Sequence, residues 1–326
     1  MLSIIIVHYR TPDLLRKCLA SIFATTPSEL VEVIVVDNDS KDNSKAQVVN
    51  EFPQVKWIDS GYNAGFARAN NSGIRVAQGE YILLLNPDAY VKQKALITLL
   101  EFYKKLDVNN KLGLLTCRIL SSIDSHLQVG SGNEFPGIKK YLRANPLFIK
   151  LFPSKNKRTY DASKMHYINH EIDFASGGCV MIKKSKIEQH NLYIDEDFFL
   201  YSEDVEWSFR VKKTGYFNYF CADVEVFHVN SASTGESINK KKLMFVSELL
   251  FFYKTQTKLQ FWLFQLLFRF NFFLNKWLLT RSGELDKLEM EKMYKSVFDK
   301  YQPRIKKGYK RNPSSAKEYV SYVETH

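Results

Sequence analysis

Four short apolar runs, each followed by a segment with helical spacing, limit how this chain can fold more than any other feature of its sequence. The runs cover residues 2–8, 32–36, 55–58 and 81–85, and the helical segments cover 12–23, 42–52, 66–77 and 92–106. Continuous apolar runs of this length are typical of strands that are covered on both faces. Repeated strand–helix units therefore predict an α/β fold with a mostly parallel sheet and helices on both faces.

The second half of the chain is less regular. Residues 130–165 show no clear periodicity and are predicted to form a long loop. A strand is predicted over 172–182, with an interruption at Ser176-Gly177-Gly178. A helix is then predicted over 203–213, and Gly215, just past its end, is a typical C-terminal stop. Two short strands are then predicted at 217–221 and 224–228.

Polar residues follow the apolar runs at the points where ligands bind in parallel sheets, beyond the carboxyl ends of the strands. Tyr9, Asp37, Asn38 and Asp88 are the residues concerned. A carboxylate such as Asp88 can hold a hard divalent cation, which in turn binds a diphosphate. The alternative is purely structural, because Asn86-Pro87-Asp88 also has good turn-forming chemistry.

Two further positions are candidates for chemistry. Glu203 and Asp204 begin a predicted helix, directly after an acidic and aromatic segment. One of the two is a candidate proton acceptor. The alternative is that both only stabilise the start of the helix. His228 ends the last predicted strand and is a candidate second metal ligand, although a lone histidine is more often structural.

A glycine-led segment, 63–71, opens the third helix and could bring backbone N–H groups and Arg68 close to phosphate. It matches neither the G-x-G-x-x-G pattern nor the G-x-x-x-x-G-K-[ST] pattern. The sequence therefore argues against a dinucleotide-dependent dehydrogenase and against a P-loop ATPase.

The positive charge is concentrated at the end of the chain. The formal net charge is +11, and residues 239–326 hold 18 lysines and arginines against 8 aspartates and glutamates. We therefore predict two parts, a nearly neutral domain over 1–238 and a basic helical extension over 239–326. A basic segment on a neutral body indicates an anionic partner for that segment.

The extension is also aromatic. At about 100° per residue, its polar side chains form a narrow stripe on a broad apolar surface. The stripe consists of Lys254, Lys258, Gln265, Arg269 and Lys276. This pattern favours a helix that lies in an anionic membrane surface, and the alternative is packing on the body or on a second subunit as a homodimer. Nucleic acid is not expected, because no nucleic-acid motif accompanies the charge.

Four cysteines form no C-x-x-C pair, so neither a zinc cluster nor a disulfide framework is predicted. Buried free thiols suit a reducing compartment. No secretory signal is evident, and we expect a cytoplasmic protein, peripheral at the inner face of the cell membrane.

Taken together, these segments resemble the family 2 glycosyltransferases of the GT-A fold, and most closely their rhamnosyltransferase-like branch. The resemblance covers about residues 2–230. It is carried by the strings SIIIVHYR, VIVVDNDS, NAGFARANNSGI, GEYILLLNPDA, ASGGCVMI, DEDFFLYSEDVEWSFRVKKTGY and VFHV. It departs from the family in one place, because Asn86-Pro87-Asp88 stands where many members have two aspartates.

The resemblance implies a role for each candidate residue. Tyr9, Asp37 and Asn38 would contact the nucleoside, while Arg68 and Asn86 would lie near the phosphates. Asp88 would hold Mg²⁺ or Mn²⁺ with His228 as second ligand, and Gly177 and Gly178 would let the chain pass close to donor or acceptor. Asp204 would be the catalytic base, with Glu203 as its competitor, and Arg210 would orient these carboxylates or the phosphates.

The function that the resemblance implies is inverting transfer of a sugar from a nucleoside-diphosphate donor, dTDP-rhamnose or a UDP-hexose, to a lipid-linked or polysaccharide acceptor. Two alternatives stay open at this point. One is a sugar nucleotidyltransferase, although the residues after the first strand lack the glycine-rich basic loop of such enzymes. The other is a non-catalytic nucleotide-sugar-binding scaffold.

Overall fold

The computed structural model of the chain describes residues 1–120, 135–143, 145, 166–228 and 238–306. These residues form two compact units. The first comprises 1–120, 135 and 166–228, and the second comprises 136–143, 145 and 238–306.

The first unit is built on one mixed sheet. Its described strands are β1 (Leu2–His8), β2 (Val31–Asp37), β3 (Lys56–Asp59), β4 (Tyr81–Leu85), β5 (Ala89–Val91), β6 (Leu112–Leu120), β7 (His170–Ile172), β8 (Cys179–Lys183) and β9 (Phe217–His228). They lie in the order β3-β2-β1-β4-β8-β6-β9-β5, and β7 pairs with β9. The strands β3, β2, β1 and β4 are mutually parallel, whereas β8 runs antiparallel between β4 and β6.

Helices cover both faces of this sheet, because alternate residues of each strand point to opposite sides. The described helices are α1 (Pro12–Thr25), α2 (Ser44–Glu51), α3 (Gly65–Val76), α4 (Ala95–Leu106), α6 (Lys184–His190) and α7 (Glu203–Lys213), and α5 (Ile138–Arg143) belongs to the second unit. Ile4 and Ile6 pack with α1, α2 and α4, whereas Ile5 and Val7 pack with α3, α6 and α7. The predicted α/β fold is confirmed, and β1 and β4 have the predicted limits.

The sequence-based interpretation missed one strand, and two of its predictions for the second half of the chain were wrong or incomplete. The strand β6 was not predicted, although its apolar run is typical of a buried strand. The single strand expected over 172–182 is two strands, β7 and β8, separated by the Ser176-Gly177-Gly178 turn. The two strands expected at 217–221 and 224–228 are the single strand β9, which shifts register against β6 after Cys221. The predicted loop over 130–165 lies mostly outside the described residues.

The second unit is helical and has an aromatic core. Its long helices are α8 (Ile238–Thr255), α9 (Lys258–Ser282) and α10 (Leu285–Lys306). Phe264 stacks on Phe252 of α8 at 4.4 Å, and Phe268 stacks on Phe298 of α10 at the same centroid distance. Tyr141 of α5 packs edge-on against Phe264 at 4.8 Å, so this unit takes in a segment of the chain that lies within 1–238.

Helix α8 ends and helix α9 begins within the segment for which the sequence predicted one continuous polar stripe. Thr257 caps α9 by accepting from the backbone N–H of Gln260, whose side chain in turn accepts from the N–H of Thr257. This reciprocal cap starts a new helix, so Lys254 belongs to α8 and Lys258 to α9. Gln265, which was assigned to the exposed basic stripe, is buried. Among the described residues, no helix has the length and hydropathy needed to cross a bilayer.

Candidate active site

The predicted nucleoside-contacting residues lie together at the carboxyl ends of β1 and β2. Tyr9 follows β1, and Asp37 and Asn38 end β2, which pairs with β1 in parallel register. Tyr9 and Asp37 are partly exposed, whereas Asn38 is only 4% exposed. The backbone N–H of Asn38 donates to the carbonyl of His8 at 2.8 Å, which holds the two strand ends side by side.

Asn38 also connects β2 to the start of α3. Its Oδ1 accepts from the backbone N–H of Ala64 at 2.7 Å, and its Nδ2 donates to Oδ1 of Asn63 at 2.8 Å. Both ends of the amide are therefore engaged by the protein. Asn38 fixes the loop that opens α3, and Tyr9 and Asp37 are the more accessible of the three predicted contacts.

The glycine that begins α3 allows a second backbone segment to approach closely. Gly65 has φ +77°, and a Cβ placed there would lie 2.4 Å from the carbonyl oxygen of Phe199. The next residue, Phe66, donates its N–H to that carbonyl at 2.7 Å.

Arg68 lies in the first turn of α3. Burial opposes ionisation of nearby Glu196, but hydrogen bonds from Arg75 and Asn71 outweigh it and lower the pKa of that carboxyl. The charge of Arg68 adds to this.

A cluster of three polar side chains lies beyond β4 and β9. His228 Nε2 is 2.7 Å from Asn86 Nδ2 and 2.9 Å from Asp88 Oδ1. The side chains of His228 and Asp88 are 16% and 11% exposed. The pairing of Ala89 in β5 with His228 in β9 brings the two segments together. The structure therefore confirms that Asp88 and His228 are neighbours, although 140 residues separate them in sequence.

This cluster fits a divalent cation with only two protein ligands. Adjacent ligands of an octahedral ion with bonds of about 2.1 Å are roughly 3 Å apart, which matches the separation of Asp88 Oδ1 and His228 Nε2. The same 2.9 Å separation suits a hydrogen bond from a protonated Nε2 to Asp88, so a cation bound here would take the place of that proton. Within the described ranges, no group of three or more His, Cys, Asp or Glu side chains is arranged to hold a metal.

A glycine turn joins this cluster to the predicted base. Asn86 donates its backbone N–H to the carbonyl of Gly178 at 3.1 Å. One residue earlier, the N–H of Gly177 donates to Oδ2 of Asp204 at 3.0 Å. A Cβ on Gly177 would lie 3.2 Å from the ring of Phe66, so the turn also packs against the start of α3. Asp88, His228 and Asp204 are thus held by one continuous set of contacts.

The two carboxylates that open α7 have different environments. Asp204 is partly exposed and accepts hydrogen bonds from the backbone of Gly177 and Val205. Glu203 is 5% exposed, and its Oε2 has no hydrogen-bond partner within the described part of the chain. Burial, followed by the nearby charge of Asp204, raises the pKa of Glu203 well above its usual range. Burial also raises the pKa of Asp204, but its two backbone donors oppose that shift. Asp204 is therefore the more accessible member of the pair, and hydrogen-bond donors favour its charged form.

The approach to α7 is conformationally strained. Tyr201 and Ser202 have φ values of +71° and +62°, in a region that residues with a side chain seldom occupy. Such strain is often concentrated at functional sites, where the surrounding structure must maintain it. Here it turns the chain so that Glu203 and Asp204 begin the helix.

Two residues behave differently from what the sequence suggested. The guanidinium of Arg210 pairs with Glu206 at 2.8 Å and donates to the carbonyl of Tyr193 at 2.7 Å, so it stabilises α7 instead of orienting Asp204 or Glu203.

His8 was not predicted to have a role. It is fully buried, with Nε2 2.8 Å from Ser44 Oγ and 3.6 Å from Asp42 Oδ2. Burial lowers the pKa of His8, which leaves it neutral at pH 7. No local sequence signal predicts this long-range pairing.

The family model described as "Glycosyl transferase family 2" matches residues 3–190, more than half of the chain. The chain belongs to this family. It is a glycosyltransferase, and the predicted family is confirmed.

Similar curated proteins are only distantly related. The low-salt glycan biosynthesis hexosyltransferase Agl10 of Haloferax volcanii is 27% identical over 231 residues, which cover 70% of this glycosyltransferase and 66% of the relative, just under two thirds of its length. The N-acetylglucosaminyl-diphospho-decaprenol L-rhamnosyltransferase of Mycobacterium tuberculosis is 25% identical over 252 residues, which cover 72% and 78% of the two chains.

A solved structure supports the fold alone. The crystal structure of GalNAc-T7 with UDP, GalNAc and Mn²⁺ superposes with a TM-score of 0.53 at 14% identity, covering 78% of this glycosyltransferase and 51% of that chain. The predicted GT-A fold with a C-terminal helical extension is confirmed.

Proposed function

We propose that this glycosyltransferase transfers a sugar from a nucleoside-diphosphate donor to an acceptor hydroxyl in cell-surface glycan synthesis, with inversion at the anomeric carbon. The observation that carries this proposal is the contact of Asp204 with the Gly177-Gly178 turn, which also binds the segment bearing Asp88. This contact supports a proton acceptor and a diphosphate site that lie near each other. Because the chain belongs to a glycosyltransferase family, the alternatives of a sugar nucleotidyltransferase and a non-catalytic scaffold are set aside.

Asp204 acts as the general base in this proposal. It takes the proton from an acceptor hydroxyl while that oxygen bonds to the anomeric carbon, and the bond from that carbon to the diphosphate oxygen breaks with its electron pair leaving on the nucleoside diphosphate. The N–H of Gly177 holds Oδ2 in place, so the carboxylate approaches the acceptor in a fixed orientation. Glu203 is buried and its pKa is raised, and it serves to position Asp204.

The donor is bound by residues from four segments. Tyr9 and Asp37 contact the nucleoside, and Asn38 supports them by anchoring the loop before α3. Arg68 and Asn86 lie toward the phosphates. Asp88 and His228 would hold Mg²⁺ or Mn²⁺, which would supply positive charge to the departing diphosphate. Two protein ligands suffice when substrate phosphates and water complete the coordination, as is common for Mg²⁺.

The names of the relatives favour particular substrates. The mycobacterial relative is an L-rhamnosyltransferase whose name specifies a lipid-diphosphate-linked saccharide, which supports dTDP-rhamnose as donor and a lipid-linked saccharide as acceptor. The Haloferax relative is a hexosyltransferase, which supports a UDP-hexose as the second donor candidate. The cytoplasmic location remains a prediction.

The test is a transfer assay with the full-length protein. Each donor is incubated with a polyprenyl-diphosphate-linked saccharide, with Mn²⁺ or with EDTA, and the product is identified by mass spectrometry and its anomeric configuration by NMR. We expect turnover of one donor, inverted configuration and loss of activity in EDTA. A retained configuration would contradict the mechanism, full activity in EDTA would contradict the metal site, and no transfer from any donor would contradict the substrates.

A further inference from the structure

The long helix α9 has two apolar faces, of which only one is used by the fold. Phe261, Phe264, Phe268 and Phe272 point into the aromatic core of the second unit and are buried. The opposite face carries a second apolar row that is exposed. Its members are Leu259, Trp262, Leu266, Phe270, Phe273 and Trp277, whose side chains are between 45% and 64% exposed. The sequence predicted either membrane contact or packing for this segment. The buried face of α9 packs, and the exposed face is the one available for membrane contact.

This exposed row is continuous. Its members follow one another at intervals of three or four residues, which places them along one side of a helix. From Leu259 to Trp277 the row extends about 27 Å at 1.5 Å per residue. A stripe of this length, with two tryptophans, is larger than the isolated apolar side chains that soluble surfaces normally expose. We name it the α9 apolar stripe.

The charges on α9 specify what this stripe fits. The helix contains Lys258, Arg269, Lys276 and Arg281 but no aspartate or glutamate. At about 100° per residue, Lys258, Arg269 and Lys276 lie along one border of the stripe, roughly 90° from its middle. The fourth, Arg281, stacks over the Trp277 ring at 4.7 Å. Among the described residues, none of these four cations forms an ion pair with a carboxylate, which leaves their charge available to an anionic surface.

We propose that the α9 apolar stripe binds the surface of an anionic phospholipid bilayer, with α9 lying in the plane of the membrane. The apolar side chains enter the boundary between headgroups and acyl chains, and the bordering cations remain at the level of the phosphates. Tryptophan is suited to this boundary because its ring is apolar and its N–H is polar. Spanning is not required, and no described helix is long and apolar enough for it. This inference does not depend on the proposed donor or acceptor.

The experiment is flotation of the full-length protein with vesicles made of equal parts phosphatidylglycerol and phosphatidylcholine, compared with phosphatidylcholine alone. The test variant combines Trp262→Ser, Phe270→Ser and Trp277→Ser. The matched control combines Val49→Ser, Val76→Ser and Val108→Ser, which are exposed apolar residues of the first unit. Far-UV circular dichroism and the unfolding temperature verify that both variants are folded.

We expect the wild type and the control to float with the anionic vesicles and the test variant to partition about tenfold less or weaker still. A second variant, Arg269→Gln with Lys276→Gln, should lose roughly fivefold in affinity per cation and show a weaker dependence on salt. Wild-type protein that stays in the soluble fraction would overturn the proposal, as would a test variant that floats like the wild type. If the test variant instead dissociates an oligomer in light scattering without changing flotation, the stripe binds a second copy of the chain and the proposal is wrong.

Discussion

Glu203 and Asp204 are adjacent in sequence, yet the fold gives their carboxylates different hydrogen-bonding environments. The Gly177 N–H and the Val205 N–H both donate to Asp204, whereas the buried Oε2 of Glu203 has no hydrogen-bond donor within the described residues. The charged form of a carboxyl is favoured by hydrogen-bond donors and disfavoured by burial. This environment supports the proposal that Asp204 is the base.

Replacing Asp204 by Asn removes the base and keeps an oxygen that can accept from Gly177. We expect the rate of sugar transfer to fall by roughly 10²–10⁴-fold, while donor affinity measured by calorimetry stays within about twofold, because general-base catalysis contributes that much. The matched variant Glu203→Gln mimics a protonated glutamic acid and should retain most activity. If Glu203→Gln were the inactive variant and Asp204→Asn the active one, the two roles would have to be exchanged.

The raised pKa of Glu203 makes a prediction about stability. A carboxyl whose pKa is higher in the folded state binds its proton more tightly there, so the folded state loses stability as pH rises from the ordinary glutamate value toward the raised one. Glutamine cannot ionise and avoids this loss. The unfolding temperature of Glu203→Gln should therefore exceed that of the wild type by an amount that grows from pH 4 to pH 8, measured by calorimetry. A difference that is constant with pH would show that Glu203 does not titrate in this way.

Asp88 is the residue on which metal binding depends. With nucleotide sugar and Mn²⁺ both near 100 times their dissociation constants, we expect the unfolding temperature of the wild type to rise by roughly 5–10 °C. Asp88→Asn should lose most of the part that requires Mn²⁺, since a neutral amide is a poorer ligand for a hard cation. Asp13→Asn, at an exposed position in α1, is the control and should respond like the wild type. An unchanged Mn²⁺ response in Asp88→Asn would exclude this metal site.

At the scale of elements, the loop before α3 determines where the acidic helix α7 begins. Gly65 adopts a left-handed φ and contacts the backbone at Phe199, four residues before Glu203. Gly61 has a similar φ of +74°, but a Cβ there would have no neighbour within 4 Å. Substituting the two glycines therefore distinguishes the cost of a left-handed φ from the cost of a steric clash.

Gly61→Ala should lower the free energy of unfolding by about 1 kcal/mol, the cost of a left-handed φ for alanine. Gly65→Ala adds a clash with the Phe199 carbonyl and should cost roughly 3 kcal/mol or more, with a loss of transfer activity, because the segment leading to Asp204 must move. Urea unfolding and the transfer assay measure the two effects. Equal destabilisation by the two substitutions would show that the close approach at Phe199 has no energetic weight.

Local patterns predicted the first half of the sheet and failed where pairing over long distances sets the structure. The strands β1 to β4 follow from their own apolar runs. The continuity of β9 depends on its bulged pairing with β6, and the short strand β5 exists because Ala89–Val91 pairs with residues 226–228. The start of a new helix at Thr257 could have been predicted from the sequence, since Thr and Gln three residues apart can form a capping box. The aromatic run around it concealed that signal.

The residues of the site were predictable as members of a sequence pattern, but their contacts were not. The meeting of Asn86, Asp88 and His228 depends on β5 and β9 lying side by side, and the role of Asn38 as an anchor for α3 depends on a turn 25 residues away. From the sequence alone, Glu203 and Asp204 were also nearly equal candidates for the catalytic base. Burial distinguishes them, and burial is a property of the fold.

At the scale of the whole molecule, the transferase residues all belong to the first unit and the α9 apolar stripe belongs to the second. Most of the net charge lies in residues 239–326, which include nearly all of the three long helices of the second unit. Catalysis and membrane binding should therefore be separable by mutation, as the two sets of experiments require.

Hydrogen exchange offers a test of this division. Donor and Mn²⁺ at about 100 times their dissociation constants should slow exchange roughly 100-fold for amides near Asn38, Gly65, Gly177 and Asp204 that exchange when the site opens. The amides of α8, α9 and α10 should exchange as in the free protein. Protection confined to the helical unit would place the donor elsewhere and contradict the site.

The antiparallel strand β8 has a consequence for how the protein is made. It lies between β4 and β6, yet it leaves the ribosome long after β4, whose residues are all buried in the finished sheet. Until Cys179–Lys183 emerges, the nascent sheet exposes an apolar edge that is able to pair with other chains. During synthesis of this glycosyltransferase, shielding of the β4 edge until β8 arrives should therefore favour the native state over pairing with other chains.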